Sequence, residues 1–98
     1  MHYVLLNSDT LHVSECLYPG RVSPEHFQLL ITLSKIRGEK VKFALEAFLV
    51  KGESRKEIFE KYNINPGYFS NKLNQLRRCS KTILDVIPYY IYIERRKY

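Results

Sequence analysis

Residues 54–78 read SRKEIFEKYNINPGYFSNKLNQLRR, and their second half is rich in side chains that suit base edges and phosphates. Tyr68, Ser70, Asn71, Lys72, Asn74, Gln75 and Arg78 fall on one side of a helix starting near Pro66. Amides and hydroxyls donate and accept at base edges, while lysine and arginine neutralise phosphate oxygens. The opposite side carries Phe69, Leu73 and Leu76 at i, i+4 and i+7, an apolar stripe that must be buried. No Asp or Glu occurs between Asn63 and Leu84, so nothing on that stretch repels a polyanion.

The flanking residues supply the means of positioning such a helix. Ser54 and Glu57 have the spacing of a capping box, which starts a helix carrying Ile58, Phe59 and Tyr62. Asn63 ends it, because asparagine enters the left-handed conformation at little cost. Asn65 caps the next helix, and Pro66 stands at its first position, where a missing N–H matters least. Ile64 plugs the angle between them. Two helices joined by so tight a turn form the helix-turn-helix arrangement expected over 54–79.

Charge is distributed to match. The chain has 16 Lys+Arg against 10 Asp+Glu. Residues 1–60 are neutral, so the whole excess lies in residues 61–98. Localised positive charge is the footprint expected opposite a phosphate backbone. Arg95, Arg96 and Lys97 taken alone would serve equally well as a solubilising end.

Catalysis finds no support. His2, His12 and His26 lack ligand spacing, and there is no glycine-rich phosphate loop. Glu57 and Glu60 are better explained as a cap and a solvated face than as an acid/base pair. No metal, cofactor or small-molecule substrate is expected. Cys16 and Cys79 lie far apart without metal or redox spacing, and Cys79 is expected to pack. No run of 18 apolar residues and no signal-peptide pattern is present, so the expected location is the cytoplasm, with no membrane contact.

At 98 residues the chain is expected to form a single domain, burying roughly two-thirds of its unfolded surface. Ser23, Pro24 and Glu25 start a helix expected over 24–36, and a second is expected over 39–51, between Gly38 and Gly52. Both are more apolar than one buried face requires, which suggests either a central position or a subunit interface. The helical pattern after Arg78 should stop at Pro88. Beyond it, residues 89–93 (YYIYI) are β-prone and could cover the core, pair with Tyr3, Val4, Leu5 and Leu6, or join a neighbouring molecule. The expected fold is all-α, a small four-to-five-helix domain with irregular or extended termini. It comprises an N-terminal extension (1–22), a helical core (23–88) and an aromatic, basic tail (89–98).

Residues 26–90 resemble the PapB-type family of regulators of bacterial fimbrial adhesin operons. The resemblance rests on HFQLL at 26–30, SRKE at 54–57, EKY at 60–62, GYFS at 67–70 and PYY at 88–90. It implies a small helical protein that binds A/T-rich double-stranded DNA as a homodimer or higher homo-oligomer, for which minor-groove contact has been proposed. It further implies that Arg55 and Lys56, within SRKE, face the DNA.

The combined expectation is a nucleoid-associated bacterial transcription regulator of fimbrial or adhesin expression. Tyr68, Ser70, Asn71, Lys72 and Gln75 would line a groove, with Asn65 at the head of their helix, while Arg55, Lys56, Arg77 and Arg78 neutralise phosphates. Lys72 is the one basic residue in mid-helix, which leaves little to read guanine and fits an A/T preference. The competing expectation is a helical protein-interaction module whose apolar helices bind a partner without DNA contact. RNA binding is less well supported, because exposed aromatics of the single-strand readers are missing.

Overall fold

The computed structural model describes residues 17–96, with side chains described for residues 17–91. Among them are four helices: α1 (Pro24–Ser34), α2 (Glu39–Leu49), α3 (Arg55–Tyr62) and α4 (Pro66–Arg96). The expected all-α class is what the chain adopts.

Each helix begins and ends where its local chemistry dictates. Ser23 Oγ accepts from the His26 N–H at 3.1 Å, and Pro24 occupies the first turn of α1. That helix closes earlier than residue 36 because Lys35 turns left-handed (φ 60°) and returns its N–H to the Ile31 carbonyl. Ile36, freed from the helix, is buried in the core instead. The capping box of α3 is complete. The Glu57 N–H donates to Ser54 Oγ at 3.2 Å, and the Ser54 N–H to Glu57 Oε1 at 3.0 Å. Asn63 ends α3 in the left-handed region (φ 52°). Asn65 Oδ1 then accepts the Tyr68 N–H at 2.9 Å, opening α4 three residues after α3 closes.

Most of the apolar surplus of α2 is consumed inside the chain, although Phe43 stays 53% exposed. Val41, Ala44, Leu45, Ala47, Phe48 and Leu49 are all buried, because α2 packs against each of the other three helices. The segment before α1 adds a further cover: Leu17 and Val22 are buried, and the Gly20 and Val22 N–H groups donate to the Phe48 and Leu49 carbonyls at the end of α2. Gly20 and Gly52 cross there so closely that a Cβ on Gly20 would meet the Gly52 Cα at 3.2 Å, and both adopt positive φ. In α1 the surplus is not absorbed. Phe27, Leu30 and Ile31 are buried, while Leu29 and Leu33 remain 64% and 58% exposed.

The largest departure from expectation is at the C-terminal end. α4 does not stop at Pro88 but continues to Arg96, so residues 89–93 are helical, not extended. Proline removes the hydrogen bond to the residue-84 carbonyl and crowds the preceding turn, ordinarily about 3 kcal/mol within a helix. Here Pro88 is exposed and lies beyond the part of α4 that packs on the core, so no packed neighbour opposes a local adjustment. At 31 residues the helix is about 46 Å long and sets the 53 Å long axis of the molecule. The proposed pairing with residues 3–6 falls outside the described residues, as do Cys16, His2 and His12.

Phe69, Leu73 and Leu76 of α4 meet Ile58 of α3, Ile64 of the turn and Phe48 of α2 in one core. Phe69 is the hub, edge-to-face with Phe48 at 5.6 Å and with Phe59 at 5.5 Å. Replacing it with alanine removes both ring contacts and opens a cavity among three helices. Phe69→Ala is expected to lower unfolding free energy by about 3–5 kcal/mol in urea titrations followed by circular dichroism.

Candidate nucleic-acid interface

Burying one side of α4 fixes what the other side shows. With Phe69, Leu73, Leu76 and Ser80 turned inward, Asn71, Asn74 and Arg78 form an exposed row at i, i+3 and i+7. Tyr68 is also exposed, at the first turn.

The two flanks of this row are tied to neighbouring helices. On one flank Gln75 Nε2 donates to the Ser34 carbonyl at the end of α1, at 3.1 Å. Lys72 lies between Gln75 and Tyr68, its Nζ 3.5 Å from Gln75 Oε1 and 5.5 Å from the Tyr68 ring centre. Both Lys72 and Gln75 are half-buried. On the other flank Ser70, also half-buried, accepts a 3.3 Å hydrogen bond from Arg55 Nη1. The Arg55 guanidinium sits 5.0 Å from the Phe48 ring centre and 5.5 Å from that of Phe69.

The sequence-selected residues therefore divide. Asn71, Tyr68 and Arg78 stand on the open surface, and Lys56 is exposed at the start of α3. Asn65 and Arg55 are exposed as well, but the side chain of Asn65 caps α4 and that of Arg55 lies on the aromatic pair, while Gln75 fastens α1. Arg77 is half-buried on the flank of α4 away from Gln75.

One cation beside the turn escaped sequence reasoning. Lys40 Nζ donates to the Asn63 carbonyl at 3.2 Å, satisfying a backbone acceptor left open at the end of α3. The two residues are 23 positions apart, and nothing in the local pattern around Lys40 signals the contact. Lys61 has a partial counter-charge in Glu53 at 3.8 Å, and Lys81 in Asp85 at 3.6 Å. Both lysines are exposed, and solvent screening makes such pairs weak. Between Asn63 and Ile91, Asp85 is the sole residue with a side-chain carboxylate.

Known proteins similar to this chain in sequence are named as regulatory proteins. Residues 2–90 match the family described as adhesin biosynthesis transcription regulatory protein. The chain is 44% identical over 85 residues to the Escherichia coli pilus-subunit operon regulatory protein PapB, covering 86% of this chain and 82% of that one. It is 44% identical over 70 residues to the E. coli regulatory protein FanB, covering 71% of each. The crystal structure of E. coli FocB superposes with a TM-score of 0.72 at 38% identity, covering 86% of this chain and 99% of that one.

The division between tied and open side chains has a measurable consequence. Gln75→Ala strips the Ser34 carbonyl of its partner and is expected to cost about 1 kcal/mol of stability. Asn71→Ala, altering an exposed position, should leave unfolding free energy within about 0.5 kcal/mol of the parent. Paired urea titrations check both.

Proposed function

The chain belongs to the family of adhesin biosynthesis transcription regulatory proteins, a regulator and not an enzyme, and we propose that it acts by binding A/T-rich double-stranded DNA. The contact is made by the helix-turn-helix of α3 and α4, and the regulated genes are those of a fimbrial or adhesin operon. The reading places the protein in the bacterial cytoplasm, at the nucleoid; no described helix is long and apolar enough to cross a membrane.

The observation that carries this reading is the exposed row on α4. Asn71, Asn74 and Arg78 look outward from a helix whose reverse side is locked in the core, on a stretch free of carboxylates. Lys56, Lys72, Arg77 and Arg78 supply cations for phosphates, and Asn71 with Tyr68 and Ser70 supplies groups for a groove. Two routes lead to an A/T preference. Asn71 pairs with adenine in the major groove, or a cation enters the narrow minor groove of an A-tract. Binding as a homodimer or larger oligomer draws support from Leu29 and Leu33, exposed one turn apart on α1. The same pair is what a protein-interaction module would use, so the test must read DNA contact itself.

Titration of the protein on an A/T-rich duplex at two salt concentrations provides that test. DNA binding predicts steep weakening as salt rises, and oligomeric assembly predicts laddered complexes as protein is added. Affinity insensitive to salt, or no binding, would reject the reading in favour of a protein partner. Lys72→Ala or Arg78→Ala should weaken binding on all duplexes and reduce the log–log salt slope by about 0.9 per lost phosphate contact. Asn71→Ala should instead change the preference between sites. Equal losses for all three variants on specific and random duplexes would exclude direct readout by α4.

A further inference from the structure

Arg55 stands where three helices converge. It occupies the first position of α3, directly after the Ser54 cap, and its guanidinium reaches across to α2 and α4. Beneath it lie the rings of Phe48 and Phe69, both buried, at 5.0 and 5.5 Å. Beside it lies Ser70, whose hydroxyl accepts from Nη1 at 3.3 Å.

These contacts use two separate properties of the group. A guanidinium is planar and weakly hydrated, so its face rests on aromatic rings while the N–H donors at its edge remain free to bond. Phe69 and Ser70 are consecutive residues of α4, about 100° apart around the helix axis. Holding both at once fixes the rotation of α4 about that axis. Asn71 is the next residue, so its outward aim follows from the same lock.

We infer that Arg55 is a positioning residue, which sets the rotation of the recognition helix and does not serve chiefly as a phosphate contact. The inference deepens the DNA-binding reading and rests on it. It also reassigns a residue whose type and motif suggested a backbone contact.

Lysine separates the two roles. An ammonium is a point charge that binds phosphate well but has no planar face to lay on two rings. For a positioning residue, Arg55→Ala and Arg55→Lys both lose roughly tenfold in affinity on the specific A/T-rich duplex. Both retain the parental salt slope, and both lower the ratio of specific to random binding. Loss of global stability alone would not move that ratio, provided measurements are made well below the melting temperature of each variant. A salt slope lower by about 0.9 in Arg55→Ala, with affinity restored in Arg55→Lys, would overturn the inference and return Arg55 to the phosphates.

A second experiment needs no DNA. In a double-mutant cycle of Arg55→Ala and Ser70→Ala read by urea unfolding, the lock predicts coupling of roughly threefold or more in the folding equilibrium. Strict additivity would overturn it. If the wild-type chain fails to bind DNA while the cycle shows coupling, the DNA-binding reading fails and the lock stands as a purely structural device.

Discussion

Everything on the outside of α4 is decided by Phe69 on its inside. Its ring is closed off by Phe48, Phe59 and the guanidinium of Arg55, and Leu73 and Leu76 extend the same stripe along the helix. Aliphatic burial along that stripe is favourable but non-directional. Edge-to-face rings and a planar cation are directional, and they oppose rolling of the helix. The polar ties on each flank act in the same sense, with Gln75 bound to α1 and Ser70 to α3. The exposed row is thus a rigid surface carried by regular structure, as a selective contact requires.

The rest of the body is built to hold that arrangement. α2 is the central helix, touching α1, α3 and α4, and its end is clasped by the segment leading into α1. The crossing of Gly20 and Gly52 lets two backbones approach more closely than a side chain ordinarily allows. Lys40 then fastens the start of α2 to the end of α3. The angle between α3 and α4 is consequently supported from three sides, namely Ile64 within it, Lys40 behind it and Arg55 across it.

What could be read from sequence was governed by range. The caps at Ser23, Ser54 and Asn65, and the left-handed end at Asn63, depend on residues three or four apart, and each formed as its local pattern required. The inward stripe of α4 was legible for the same reason. The side-chain ties that aim the site were not, since Gln75 to Ser34 spans 41 positions and Arg55 to Ser70 spans 15. Arginine in a basic motif suggests phosphate, and nothing short of the folded chain reveals two rings beneath it. Pro88 misled in a different way. Its penalty of about 3 kcal/mol holds in exposed helix interiors as well, yet here, on an open side past the core, it does not end the helix, which runs on to Arg96.

The pattern of ties also separates affinity from selectivity along α4. Near its start, where Asn65, Ser70 and the Tyr68 N–H are occupied within the protein, the outward groups are the neutral Asn71 and the ring of Tyr68. Toward Arg78 the row ends in a cation that reaches solvent without a tie comparable to that of Gln75. For a helix laid on a polyanion, charge at one end and amides at the other give two unlike contributions. The charged end contributes attraction that salt screens and sequence does not alter. The amide end contributes hydrogen bonds whose value depends on an alignment that only a fixed helix rotation can provide. Because that rotation is held by buried rings with an exposed guanidinium laid on them, and by hydrogen bonds, not by ion pairs, the alignment should persist at salt concentrations that weaken the attraction.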